Sequence, residues 1–275
     1  MKLSRGSALL IYVVLALLAI FSLGPLVLML NNSFKNRIEI TMNPLALPSP
    51  IRWQNYVEAW QSASLGSALL NTLFISTVTV LLTSCVAGMA AFVLSRKAVK
   101  GWSVVSLYFL ICTTIPVQLF LIPLFFIFQK LGFVNNRLAL CLVYTALYTP
   151  FSVFLLRTYF LRVSPEILDS ARVDGANDWQ IFSRIMLPLI QPGLLTIALV
   201  VGLWSWNEFL LAVTFLQDEA LFTATVRFYS FSGRYVTEWG KMMSAATMIM
   251  TPIIVLFTFL QQRFIEGMTA GGVKG

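Results

Sequence analysis

The sequence predicts an all-α integral membrane protein with about six transmembrane helices. Three observations support this fold class: the composition, long uncharged segments, and basic residues placed at the ends of those segments. Hydrophobic residues make up 58% of 275 positions and charged residues 11%, whereas soluble domains average about 45–50% apolar and about 25% charged residues. A soluble fold of this length has too little interior to cover so much apolar surface, but a bilayer accepts it.

The uncharged segments are long enough to cross a bilayer, which takes about 20 apolar residues in a helix. The predicted spans are Ala8–Leu30, Ser67–Leu94, Ser103–Phe128, Leu138–Leu156, Pro192–Phe215 and Met242–Leu260. The first apolar run is longer than the core of a signal peptide, about 7–15 residues, so a retained helix is preferred to a cleaved leader. We predict one transmembrane domain over residues 1–275.

The short loop Arg96–Lys100 predicts the orientation. It carries three basic residues, and short basic loops lie in the cytoplasm. With the connection between the second and third spans inside, both termini are predicted to be cytoplasmic. The net charge of +8 follows this topology, and no basic stripe with interleaved aromatic residues predicts nucleic acid as a partner.

The polar segment at residues 157–191 lies between the fourth and fifth predicted spans and reads as two short helices. Pro165 suits the first position of a helix. Gly175 permits the chain reversal that follows it. Asn177 or Asp178 can cap the second helix. This segment is therefore predicted to be a cytoplasmic helix–turn–helix.

The first of these helices has an apolar face formed by Ile167, Leu168 and Ala171, which share one side by their spacing. An exposed apolar face of this kind requires a partner groove. The alternative is that the face rests on the ends of the chain's own helices.

The same segment carries a resemblance to a known family. Asp169-Ser170-Ala171, Gly175, Ile185 and Leu187-Pro188 follow the spacing of the EAA loop in permease subunits of binding-protein-dependent ABC importers. The departure is Asp-Ser-Ala in place of Glu-Ala-Ala, which keeps an acidic residue followed by small ones.

Other segments resemble the carbohydrate-uptake branch of that family, and its maltose-type second permease in particular. They are Trp53-Gln54-Asn55-Tyr56, Asn71-Thr72, Ile115-Pro116 with Gln118, Ile122-Pro123-Leu124, Trp204 to Phe209, and the tail from Phe264 to Gly275. The resemblance implies an importer-type permease architecture, a bacterial-type cell membrane and a sugar as cargo. It also raises the expectation that the Gly-rich tail reaches the ATPases.

The resemblance implies several partners: a second homologous permease subunit, two cytoplasmic ATP-binding subunits, an extracytoplasmic solute-binding protein and membrane lipid. It further implies that the loop docks on an ATPase through Glu166, Leu168, Asp169, Ser170, Ala171, Asp174, Gly175, Ile185, Leu187 and Pro188. ATP and magnesium are expected on the partner subunits, and no cofactor is expected on this chain. The lone Gly240-Lys241 pair is followed by Met242, so the GxxxxGK[ST] phosphate-binding pattern is absent from the sequence.

A few polar residues within the spans are candidates for the translocation path. Asn207 and Glu208 are predicted either to hydrogen-bond a sugar or to anchor a helix end. Gln118 lies between two prolines and is predicted either to contact substrate or to mark a purely structural kink. Tyr144 and Tyr148 are predicted either to present aromatic faces to a sugar or to pack between helices.

Three alternatives remain open: an importer permease for a polyol or glycerol-phosphate-type solute, a stand-alone carrier or channel, and a membrane scaffold. Carriers commonly show internal repeats and charged residues near the bilayer midplane. This sequence shows neither feature, which argues against a carrier. A membrane scaffold would not explain the amphipathic inner loop at residues 157–191.

Overall fold

The computed structural model describes residues 5–96, 100–234 and 238–269, and this part of the chain is helical without strands. The helices are α1 (Arg5–Ser33), α2 (Arg37–Met42), α3 (Gln54–Ser62), α4 (Leu65–Ser95), α5 (Trp102–Thr114), α6 (Leu121–Lys130), α7 (Arg137–Phe160), α8 (Pro165–Val173), α9 (Asp178–Leu189), α10 (Gln191–Asn207), α11 (Leu210–Phe215), α12 (Ala224–Arg234) and α13 (Trp239–Thr269). Residues 97–99, within the basic loop used to predict orientation, and residues 270–275 of the predicted docking tail lie outside the described residues.

Four helices of the described chain are long and apolar enough to cross a membrane: α1, α4, α7 and α13. A fifth span results if α9 and α10, which are bent by 75° at their junction, are counted together. Helices α5 and α6 are apolar but shorter. The all-α membrane fold is confirmed, whereas the count of six spans is not.

The predicted third span, Ser103–Phe128, is divided into α5 and α6. Ile115 and Pro116 both adopt extended backbone conformations, because the ring of a proline disfavours the helical conformation of the residue before it. Of the two prolines that flank Gln118, Pro123 does not interrupt the helix. It is the third residue of α6, where a backbone N–H has no partner within the helix to lose.

The predicted fifth span, Pro192–Phe215, is also interrupted. Helix α10 ends at Asn207, Glu208 is extended, and α11 begins at Leu210. Neither glycine nor proline marks this break in the sequence, so the break could not be predicted from the sequence pattern.

The chain forms two compact units. One consists of the chain up to Gly66 together with Arg227–Pro252, and the other of Ser67–Val226 with the chain from Ile253 onward. A single domain over residues 1–275 stays a prediction.

Helix α7 forms the centre of the second unit. Of its apolar span 61% is buried, compared with 33% for α4. Near its end, the ring of Phe160 lies 5.7 Å from that of Phe92 and 6.5 Å from that of Phe182. This aromatic cluster fixes the ends of α4 and α7 against α9.

Buried polar contacts organise the first unit around the residues that follow α1. The Asn55 side-chain amide donates to the carbonyl oxygens of Ser33 and Lys35 at 2.7 and 2.9 Å. The Ser244 hydroxyl donates to the Ser33 carbonyl at 3.0 Å. The end of α1 is thereby tied to α3 and to the first part of α13.

Candidate functional site

The polar segment between α7 and α10 folds as the helix–turn–helix predicted from the sequence. Helix α8 begins with Pro165 at its first position and ends at Val173. Gly175 has φ +81°, in the left-handed region that favours glycine. The chain therefore reverses at the predicted residue.

Asn177 caps α9, which resolves the alternative that the sequence left open. Its side-chain oxygen accepts from the Gln180 N–H at 2.8 Å, and the Gln180 side chain accepts from the Asn177 N–H at 2.8 Å. This reciprocal pair is a capping box. Asp178 instead lies 3.3 Å from Arg172 in a solvent-exposed ion pair, which contributes little to stability.

The two sides of α8 differ in burial. Leu168 and Ala171 are buried, with 7% and 8% of their surface exposed, and belong to the chain's own core. The alternative that this face rests on the chain's own helices is therefore correct for these two residues. Ile167 is 41% exposed and Val173 is 88% exposed, so the apolar surface open to a partner lies elsewhere on α8 than predicted.

The polar residues predicted to dock on an ATPase lie on the solvent-exposed side of α8, which is called its open side below. Glu166, Asp169, Ser170 and Asp174 are all exposed. Val173, which the sequence analysis did not single out, lies among them. The sequence did contain a signal for Val173. An apolar residue directly before the turn residues Asp174 and Gly175 does not improve solubility, so its position could have indicated a contact with a partner.

Arg96 lines a cavity of 490 Å³ together with Phe92, Leu168, Asp169 and Arg172. Burial and the positive charge of Arg172 lower the pKa of the Arg96 guanidinium, and Asp169 opposes this shift. The predicted loop acid Asp169 thus has a cation of its own chain nearby.

The second half of the segment contains a wide helical turn over Ile181–Met186. There the N–H of Leu187 donates to the carbonyl of Phe182, five residues earlier. Pro188, which has no N–H to donate, follows directly, within the last α-helical residues Leu187–Leu189 of α9. Ile185 and Leu187 are half-buried and Pro188 is exposed, just before the bend into α10.

Glu208 is held at the break between α10 and α11. Its carboxylate accepts from the backbone N–H groups of Leu211 and Ala212 at 2.8 and 2.9 Å, and from the Tyr144 hydroxyl at 2.5 Å. A carboxylate at this position caps α11 and complements its dipole. The contacts of Glu208 are those of the predicted helix-end anchor.

The two aromatic path candidates belong to a row of ring contacts that begins at Tyr144, the hydrogen-bond partner of Glu208. Tyr144 is fully buried, and its ring lies 5.9 Å from that of the nearly buried Tyr148. Tyr148 packs in turn on Trp204 at 5.5 Å, and Trp204 on Phe151 at 4.9 Å. Only Trp204, 41% exposed, offers a substantial aromatic surface.

Two further path candidates are exposed. Gln118 lies in the short turn Val117–Leu119 between α5 and α6. The Asn207 side chain donates to the Leu203 carbonyl at 2.8 Å, which leaves its oxygen open. These two residues retain hydrogen-bonding groups for a solute, whereas Tyr144 does not in this conformation.

Asn71 and Thr72 have a structural role that the sequence alone did not define. The Asn71 amide donates to the carbonyls of Ala220 and Phe222 at 2.8 and 3.1 Å, and its oxygen accepts from Arg137 at 2.8 Å. The Thr72 hydroxyl accepts from the Ala224 N–H at 2.8 Å. Together they fix the turn that precedes α12.

An apolar cleft of 690 Å³ lies along α5, α6 and α7. The hydroxyls of Thr145 and Thr149 on its lining already donate to carbonyls one helical turn earlier, at 2.7 and 2.6 Å. A sugar needs several free hydrogen-bonding partners, and this lining offers few beyond the exposed side chain of Tyr108, so the cleft is poorly suited to bind one.

Long apolar helices, a polar helix–turn–helix between two of them and a bent helical pair define a multi-pass helical membrane protein. The sequence from residue 84 to 269 matches the family described as "Binding-protein-dependent transport system inner membrane component". The chain therefore belongs to this family of membrane permease subunits of ABC importers.

Individual relatives agree with this assignment. The chain is 34% identical to the "Probable ABC transporter permease protein YurM" of Bacillus subtilis, over 96% of this chain and 88% of that one. It is 31% identical to the "Diacetylchitobiose uptake system permease protein NgcG" of Streptomyces coelicolor, over 97% and 89%. A solved bacterial ABC transporter that imports the acidic polysaccharide alginate has the same fold, with a TM-score of 0.83 at 23% identity over 96% of this chain and 99% of that one.

Proposed function

We propose that this chain forms one half of the translocation path for a sugar oligomer and is driven by separate ATPase subunits that dock on α8 and α9. The observation that carries the proposal is the two-sided burial of α8. Leu168 and Ala171 fasten the helix to the membrane domain, and Asp169, Ser170 and Val173 face outward. A helix held on one side and open on the other can transmit the motion of a partner.

The most direct test changes the open side of α8. We expect Val173→Asp to reduce recovery of the ATPase with the tagged chain by about tenfold or more, because a charge would be buried without a partner in the docked state. The measurement is co-purification from native membranes in mild detergent.

Val173→Thr is the matched control, since it keeps the β-branched shape without a full charge, and we expect it to retain the ATPase. Leu168 is a poor probe because its substitution damages the chain's own core. Equal recovery of the ATPase with Val173→Asp and the unaltered chain would contradict docking on this side of α8.

The proposed cargo rests on the uptake functions named for the relatives and on the polar candidates Gln118 and Asn207. We expect a combined Gln118→Ala and Asn207→Ala substitution to raise KM for uptake about five- to 150-fold, since each of the two lost hydrogen bonds to a sugar costs about 0.5–1.5 kcal/mol. The assay is binding-protein-dependent uptake in vesicles.

ATPase recovery with this double variant should be unchanged, which separates solute contact from assembly. An unchanged KM would remove both residues from the proposed path. Uptake of a polyol in preference to oligosaccharides would replace the cargo, and uptake without any ATPase would instead support a stand-alone carrier.

The proposed orientation places both termini and α8 in the cytoplasm and the solute-binding protein on the opposite face. The family description as a binding-protein-dependent system supports this arrangement. A cysteine at the exposed position Ser170 should react with a membrane-impermeant maleimide in inside-out vesicles stripped of the ATPase subunits, and be protected in intact cells.

A further inference from the structure

A polar pocket of 230 Å³ in the first unit has no role in the proposed transport function. Its charged lining residues are Lys35, Arg37, Arg52, Glu58, Glu238 and Lys241. Four cationic side chains therefore face two anionic ones.

The two carboxylates of the pocket are already engaged by one lysine. Lys241 Nζ lies 2.6 Å from Glu58 Oε2 and 3.7 Å from Glu238 Oε2. The exposed side chains of Arg37 and Arg52 have no carboxylate partner in the described part of the chain.

Lys35 is a further cationic residue of the pocket lining. It is only 1% exposed, and its ammonium donates to the carbonyls of Pro44 and Asn43 at 2.9 and 3.3 Å. Carbonyl oxygens satisfy its hydrogen bonds but leave its charge uncompensated. The pocket lining therefore carries more positive than negative charge, which favours an anion.

The surroundings of the pocket match the headgroup layer of a membrane. Helix α1, whose apolar span is entirely unburied, ends only two residues before Lys35. The exposed indoles of Trp53 and Trp239 directly adjoin pocket residues in sequence. Exposed tryptophans at the end of a span are typical of the interface between hydrocarbon and water.

We propose that this pocket binds the phosphate group of an anionic phospholipid, held by Arg37 and Arg52. The planar guanidinium groups suit paired hydrogen bonds to phosphate oxygens. The proposal rests on the membrane location of the family and is independent of the cargo and of the ATPase docking proposed above.

The test uses the full chain with the subunits that co-purify with it, reconstituted in nanodiscs of phosphatidylcholine with added phosphatidylglycerol. Native mass spectrometry after gentle extraction measures the phosphatidylglycerol retained relative to phosphatidylcholine. We expect selective retention by the unaltered chain and about a fivefold loss for each of Arg37→Gln and Arg52→Gln.

Two controls make the result specific. The double variant Arg37→Lys and Arg52→Lys keeps the charge and should retain more lipid than the glutamine variants. The double variant Lys130→Gln and Arg162→Gln removes the same charge from exposed positions elsewhere and should retain as much as the unaltered chain.

Equal retention of both lipids, or an equal loss in the Lys130 and Arg162 control, would overturn the proposal. Inorganic phosphate that binds in phosphatidylcholine alone and fully displaces phosphatidylglycerol would identify a free-anion site instead. Loss of binding-protein docking in the glutamine variants, with lipid retention unchanged, would assign the pocket to a protein partner.

Discussion

Replacing Glu208 with alanine is expected to lower the stability of the folded chain by about 3 kcal/mol. The change removes a carboxylate that caps α11 through two backbone N–H groups and accepts from Tyr144. A helix cap contributes about 0.5–2 kcal/mol, and a hydrogen bond to a charged group contributes about 1.5–3 kcal/mol. The fully buried Tyr144 hydroxyl would also lose its acceptor. Size-exclusion profiles after graded heating in detergent measure the loss.

Asn207→Ala is the adjacent control, because its side chain bonds only to the Leu203 carbonyl within the same helix, and we expect the melting profile to stay unchanged. Glu208→Gln should fall between the two, since it keeps the shape but turns an N–H donor toward the N–H groups of α11. A Glu208→Ala chain that melts like the unaltered one, yet transports poorly, would return Glu208 to the translocation path.

Gly193→Ala is expected to destabilise the chain by about 2–3 kcal/mol through overpacking. A Cβ at this residue would lie 2.7 Å from two ring atoms of Tyr159, which is itself buried. Neither α10 nor the Tyr159 ring can shift easily to relieve this contact, because Tyr159 lies in the last turn of the central helix α7. The same heating assay measures the change.

Gly202→Ala on the same helix provides the matched comparison. Its Cβ would meet Val80 at 3.6 Å, an ordinary contact, and alanine is about 0.5–1 kcal/mol more favourable than glycine within a helix. We expect neutral or slightly raised stability there. Equal melting of the two variants would mean that α7 and α10 pack less closely than the structure has them.

The predictions that depended on local signals agreed best with the structure. Pro165, Gly175 and Asn177 fix the bounds of α8 and α9 through backbone preferences that act within a few residues. Apolar run length likewise located α1, α4, α7 and α13. The sequence predicted these elements because each requirement is met by the segment itself.

The predictions about which face of a helix is buried agreed less well with the structure. The spacing of Ile167, Leu168 and Ala171 placed them on one face, but spacing does not state whether a neighbouring helix of the same chain lies there. The break at Glu208 was equally invisible, because the groups that stabilise it lie on α7 and α11.

The sequence by itself therefore determined the helical membrane class, the positions of the long spans and the helix–turn–helix between α7 and α10, because hydrophobic length, proline and glycine act locally. Only the tertiary structure decided that Leu168 is buried while Val173 is exposed, and that Glu208 caps α11 and accepts a hydrogen bond from Tyr144. Those outcomes depend on contacts between residues far apart in the chain, and the free energy of such contacts is set by the helix packing.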